Sequence, residues 1–337
     1  MTTPSVAVVI PSYNHGRYIE ETLGSVFRQT LRPQEVLVID DGSTDDSVQA
    51  IERAFAAASP IRCALTVREN RGISTTRNEL GAATTADFVA FLDSDDLYAP
   101  NRLERMLEGA PHDGGPYFAF SGVDFLHERE HETPDEWHDL YHLILGQGMA
   151  FPTAGFALLR SNIAISASNF VMSRGLLEAV GGFDDRIKIC QDWDFAVQAL
   201  RFVEPTFIPE PLLTYRIHSR NTSRDAQLNA TWELDLVIDK LRAWIVHPTP
   251  NPHAPTPANW PRFFRIFACL NTHRTGRALA ARLLPETLAE PAETEASVRG
   301  TKAIRDLISA TRSPESIEDL SRNELMMRCR QTWLALS

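Results

Sequence analysis

The chain of 337 residues carries 33 basic and 44 acidic side chains, a formal net charge of −11, and 43% hydrophobic residues. That balance disfavours nucleic acid as a partner and leaves enough apolar material for one large domain or two. No run of 18 or more uninterrupted apolar residues occurs, the opening MTTPSVAVVIPSYN has neither a basic leader nor a small-residue cleavage site, and Cys63, Cys190, Cys269 and Cys329 are far apart, so a soluble cytoplasmic protein with reduced, structural thiols is expected.

Val6 to Ile10 predicts a first strand; Pro11-Ser12-Tyr13-Asn14-His15-Gly16 is a polar turn, and Ile19, Leu23, Val26 and Phe27 follow at helical spacing. Glu35 to Asp40 predicts a second strand whose end carries Asp40 and Asp41. Gly42-Ser43-Thr44-Asp45 is then expected to open a helix through Val48, Ile51 and Phe55. Ile61 to Val67 predicts a third strand, Asn70-Arg71-Gly72 a turn, Ile73 to Ala83 a helix and Phe88 to Leu92 a fourth strand. Strands alternating with helices imply an α/β fold built on a mostly parallel, doubly wound sheet with right-handed crossovers. Its polar residues gather at the carboxyl ends of strands, where such sheets bind ligands.

The fourth strand ends abruptly in Asp93-Ser94-Asp95-Asp96. Three carboxylates within four residues repel one another, and a hard divalent cation such as Mg²⁺ or Mn²⁺, holding a diphosphate, would neutralise them. The plain alternative is a polar turn capping the helix that starts near Asn101, for which Pro100 is well suited.

The series VVIPSYNHGRYIEETLGSVFRQT, VLVIDDGSTDDS, ENRGISTTRNEL and FLDSDDLYAP, followed by VGGFDDRIKICQDWDFAVQAL and LLTYRIHSRNTS, resembles the inverting glycosyltransferases of family 2, which have the GT-A fold. The resemblance runs from about Val6 to Ser223. Two positions depart from the family's pattern: Thr76 stands where a small residue is common, and Gln191 where Glu is common. The resemblance implies a sugar transferred from a nucleotide diphosphate sugar, most often a UDP-sugar, to a hydroxyl on a saccharide or lipid-linked acceptor, in surface polysaccharide or glycolipid synthesis.

The same resemblance implies that Pro11, Tyr13, Asp40 and Asp41 hold the nucleotide, that Arg77 and Asp93 face it, and that Asp95 coordinates Mn²⁺ or Mg²⁺. His218 would close the site on the metal or diphosphate, with Arg216 and Arg220 as phosphate partners. Asp96 would orient neighbours or the sugar. Asp192 is the expected general base, with Asp194 as its substitute and Trp193 as a donor or acceptor contact. A helix start lowers an acid's pKa and burial raises it, and both bear on Asp192. A catalytically silent nucleotide-sugar-binding protein is the reading from another class. A sugar nucleotidyltransferase is the enzymatic rival, although PSYNHGRY is not its usual glycine-rich loop.

Ser121 to Ser168 contains the acidic stretch with His127, His131, His138 and His142, read as an exposed helix or loop near the acceptor rather than a metal site. The expected organisation is a catalytic domain over 1–224, with the nucleotide side in 1–100 and the acceptor side in 101–224. A helical region over 225–337 follows, containing a proline-rich extended linker at 248–261. Arg262 to Leu284 mixes five arginines with Phe and Leu and no acid. Peripheral contact with an anionic membrane is one reading; packing on the catalytic domain or on another subunit is the other.

Overall fold

The computed structural model describes residues 5–128, 141–146, 153–221 and 231–259, isolated positions within those spans apart. The first half alternates as expected: β1 (Val6–Ser12), α1 (Gly16–Phe27), β2 (Glu35–Asp40), α2 (Ser47–Ala56), β3 (Arg62–Val67), α3 (Ile73–Ala83) and β4 (Phe88–Phe91). β1, β2 and β4 are buried along their whole lengths, which is why they read as unbroken apolar runs. β3 is more exposed and forms one edge of the sheet. All four strands are parallel, with Val8 of β1 opposite Val36 on one side and Ala90 on the other.

α2 begins later than the sequence suggests. The Asp40 carboxylate accepts from the Ser43 amide at 2.8 Å and from its hydroxyl at 2.6 Å, so the residues after β2 close into a turn before helix can start. Asp45 then accepts from the Ser47 amide and, through its other oxygen, from the Gly16 amide. One side chain thereby fixes the starts of both α1 and α2.

The second half comprises β5 (Leu97–Tyr98), α4 (Arg102–Leu107), β6 (Phe118–His127), α5 (Ala154–Arg160), a 3-10 turn (Ala167–Asn169), β7 (Val171–Ser173), α6 (Arg174–Val180), α7 (Gln191–Ala199), β8 (Thr206–Ile217) and α8 (Thr231–Ile245). Parallel pairing stops at β4. β7 runs antiparallel to β4 and to β6, β8 is parallel to β6, and β5 closes the far edge antiparallel to β8, giving the order β3-β2-β1-β4-β7-β6-β8-β5. The β6–β8 register shifts at Gly122, where a Cβ would come within 2.7 Å of the Pro209 carbonyl; only glycine lets β8 pass. β1 has β2 on one side and β4 on the other, and the crevice beyond such a reversal of strand order is where open α/β sheets take ligands.

α8 is not detached from this body. Val237, Ile238, Leu241, Trp244 and Ile245 share a buried cluster with Phe156 and Leu159 of α5 and with Trp193, Val197 and Leu200 at α7. The proline-rich stretch expected as an extended linker is also docked as far as Thr256. Asn251 donates through its side-chain amide to the Leu200 carbonyl and through its backbone N–H to the Arg201 carbonyl, and Ala254 is buried. The expected helices from Arg262 onward, with the basic-apolar segment 262–284, lie outside the described residues, as do His131 and His138. His127 is the last residue of β6. Among the described residues no helix is long and apolar enough to cross a membrane.

Candidate active site

A cavity of about 800 Å³ opens at the carboxyl ends of β1, β2 and β4. Its walls come from the turn after β1, the turn after β3, the strand end at Asp93 to Asp95, the loop at Ile165 and Ser166, and the start of α7. Pro11, Tyr13, Asp41, Arg77, Asp93, Asp95 and Asp192 all line it. Tyr13 stands at the mouth with 48% of its surface exposed, an aromatic face free to stack.

Asp40 and Asp41 have different tasks. Asp40 is fully buried and consumed by the Ser43 turn and by the Ser12 hydroxyl, and it does not reach the cavity. The expectation that it contacts nucleotide is therefore corrected to a turn-forming role. Asp41 accepts from the Arg71 and Gly72 amides at 2.9 and 2.8 Å and pairs with Arg68, which pulls the turn before α3 over the end of β2. Gly72, at φ 89° and ψ 157°, occupies backbone space that is almost exclusively glycine's. Gly72→Ala is expected to lower unfolding free energy by roughly 1–3 kcal/mol, read as a shifted urea midpoint at unchanged slope.

Arg77 is buried and donates to Asp93 at 2.6 Å, while its guanidinium lies over the Phe183 ring. Its Nε and Nη1 have no hydrogen-bond partner among the described residues. Asp93 is held on its other oxygen by the Ser166 hydroxyl, and its amide donates to Ser168. Ile165, beside Ser166, has φ +70°, an outlier for a β-branched residue and a strain that clusters at functional sites.

Asp95, His218 and His15 form a compact group whose ligand-capable atoms lie within 4.8 Å of one another. His218 Nε2 is 2.9 Å from Asp95 Oδ2, and His15 Nε2 is 3.9 Å from the same oxygen. His15 Nδ1 meets the Ser94 hydroxyl at 2.8 Å, and His218 Nδ1 accepts from the Arg220 amide. Burial works against the Asp95 charge, but the hydrogen bond with His218 and the two imidazoles outweigh it and hold the carboxyl below its ordinary value.

Asp96 turns the other way. It accepts the Arg216 amide at 2.9 Å and does not line the cavity; burial, then the charges of Asp95 and Asp93, push it well above its ordinary value. Of the two roles expected for it, the placement suits orienting neighbours, not touching sugar. Arg216 is likewise structural: it donates to the Asp95 carbonyl, pairs with Glu21 and stacks on Tyr18. Arg220 does line the cavity.

Asp192 sits in the first turn of α7, half-buried. Burial raises its carboxyl to about 6, against the lowering effects of Arg77, the Trp193 amide and Asn162, with Asp93 adding to the rise. Desolvation therefore wins over the helix start. Its Oδ2 accepts from Asn162 at 3.1 Å and its Oδ1 from the Trp193 amide at 2.7 Å. Trp193 points into the core, donating to the Leu158 carbonyl, so the expected donor or acceptor contact is corrected to a packing role. Asp194 is buried and bonded to Lys240, away from the cavity, and is no substitute base. Sequence reasoning passed over His15, Asn162, Ile165, Ser166 and Lys188; only His15, in a turn after β1, carried a signal.

The Glycosyl transferase family 2 profile matches residues 7–181. An uncharacterized glycosyltransferase of Rickettsia typhi is 25% identical over 229 residues, covering 66% of this chain and 67% of that protein. Among solved structures, S. aureus TarS 1-349 in complex with UDP-GlcNAc superposes with a TM-score of 0.56 at 16% identity, covering 98% of this chain and 90% of that one. The mannosyltransferase PcManGT from Pyrobaculum calidifontis, in complex with GDP-Man and Mn²⁺, gives 0.56 at 19% identity, covering 99% and 88%. These likenesses establish the GT-A fold for the mixed sheet. Since the family match runs unbroken from β1 to the end of α6, more than half of the sequence, the chain belongs to glycosyltransferase family 2.

Proposed function

We propose that the cavity takes a nucleotide diphosphate sugar, UDP-linked in the first instance, and transfers its sugar with inversion to a hydroxyl of a saccharide or lipid-linked acceptor. The observation that carries this reading is the meeting, in one cavity, of a strand-end carboxylate cluster with a separate carboxylate raised to about 6. Asp192 takes the acceptor proton as the acceptor oxygen attacks the anomeric carbon. The bond from that carbon to the diphosphate oxygen breaks in the same displacement, and the nucleoside diphosphate leaves. A base with pKa near working pH suits this step. One displacement needs no carboxylate nucleophile.

The two Arg77 nitrogens without a partner among the described residues support an anionic or polar ligand, because buried N–H donors left unpaired are costly. Tyr13 supports stacking on a base. His15, Asp95 and His218 fit a divalent cation, which would take the place of the proton between His218 and Asp95. Two imidazoles beside one carboxylate favour Mn²⁺ over Mg²⁺, which prefers oxygen and water. When bound, the ion would offset the charge that develops on the departing diphosphate. TarS and PcManGT were solved with UDP-GlcNAc and with GDP-Man and Mn²⁺, which supports a nucleotide-sugar donor and a metal here.

The test is calorimetric titration of UDP, UDP-GlcNAc and GDP-mannose with Mn²⁺, with Mg²⁺ and after chelation, alongside a transfer assay over an acceptor panel. Binding is expected to weaken on the order of 10-fold or more on chelation and to recover best with Mn²⁺. Metal-independent binding would remove the ion from the reading. Tight binding with neither transfer nor hydrolysis would favour the silent binding protein.

A further inference from the structure

The segment Asp184 to Asp194 brings Lys188, Ile189, Gln191 and Asp192 to the cavity wall. A chain approaching a helix start carries amides without intrahelical partners. Here three consecutive amides converge on a single carboxylate from beyond the residues matched by the family. Glu233, in the first turn of α8, accepts from Lys188 at 2.8 Å on one oxygen, and from Ile189 at 2.8 Å and Cys190 at 3.0 Å on the other. It is 1% exposed.

Seven residues on, and so on the same face of α8, Lys240 lies 2.7 Å from Asp194 and 2.8 Å from Asp184. One helix face thus grips the segment in its middle and at both ends. Apolar packing by Val237, Ile238 and Leu241 already holds α8 to the body. A buried carboxylate and an ammonium are costly to desolvate and add little net adhesion, but they define one register, because misplacement leaves a charge unpaired.

We propose that Glu233 and Lys240 are positioning residues of the transferase site, and that α8 is the element that sets where Asp192 and Lys188 stand. This rests on the reading of Asp192 as the base. Glu233→Gln keeps the shape but turns an amide NH₂ toward backbone N–H donors. In the full chain, kcat is expected to fall about 10- to 100-fold, as misplaced catalytic groups do, with donor KM and UDP affinity within about twofold of wild type. Amide hydrogen exchange should accelerate at 188–190 while the β1–β4 core stays protected. The acid limb of the pH profile should remain, since the same base acts from a poorer position.

Lys240→Met should lower kcat in the same pattern, and it alone decides the matter if Glu233→Gln does not fold. Exchange at 188–190 that matches wild type in the folded variant overturns the clamp. Faster exchange with unchanged kcat overturns its role in catalysis. Failure of the base assignment looks different: there, Asp192→Asn itself retains turnover.

Discussion

Asp95→Ala is expected to abolish metal-dependent nucleotide binding, a loss on the order of 100-fold or more in affinity for UDP or a UDP-sugar. Asp95 is the only carboxylate of the His15–Asp95–His218 group and the one to which both imidazoles turn. With it removed, two neutral nitrogens face a divalent cation without a counter-charge. His218 would also lose the partner of its Nε2, a buried group, so a stability loss of about 1–3 kcal/mol should accompany the binding defect. A thermal melt separates the two effects, because a folded variant below its melting temperature reports binding alone. His15→Ala should weaken metal dependence less, since its ring stands 3.9 Å from the shared oxygen and is tied to Ser94. If Asp95→Ala binds UDP with wild-type affinity and Mn²⁺ dependence, this group is not the metal site.

The first half of the fold was legible because β1, β2 and β4 are buried on both faces and therefore write themselves as apolar runs between helical patterns. The second half was not. β7 is three residues long, and β6 is the stretch FAFSGVDFLH that runs into the acidic segment read as helix or loop. β6, β7 and β8 are strands only because they pair across long separations, which no local pattern reports.

Within the site, the region was legible and the choice between neighbours was not. Side chains point opposite ways at the end of a strand, successive helix residues lie about 100° apart, and the turn after β4, closed by the Asp96 amide on the Asp93 carbonyl, reverses direction within a residue, so adjacent acids meet different surroundings. That is why Asp41 reaches the cavity and Asp40 closes a turn, why Asp95 faces two histidines and Asp96 the Arg216 amide, and why Asp192 looks out while Trp193 looks in. His15 escaped notice for a related reason. Its partner His218 lies some 200 residues away in sequence, and only β8 running back alongside β6 and β5 brings the two rings to 5.6 Å.

Asp192→Asn is expected to depress kcat by a factor on the order of 10² or more while leaving UDP affinity intact, since amide cannot take a proton and the residue does not belong to the metal group. The wild-type pH profile should carry the same signature. A base must be unprotonated to act, and burial places this carboxyl at about 6, so kcat/KM should fall as pH drops through about 6 and level off above it. In Asp192→Asn that limb should vanish. Stability should move the opposite way to activity. A carboxyl raised in the folded state binds its proton more tightly there than when unfolded, so wild type loses stability as pH climbs from about 4 to about 6 and stays lower above that. Asparagine has no such penalty, so Asp192→Asn should be more stable than wild type at pH 7.5 by roughly 1–3 kcal/mol, the gain shrinking toward zero below pH 4. Urea titrations of both proteins at pH 4, 6 and 7.5 read this directly. A variant that keeps near-normal turnover removes Asp192 as the base, and one that is inactive yet no more stable than wild type at pH 7.5 shows that the carboxyl is not desolvated as its burial requires.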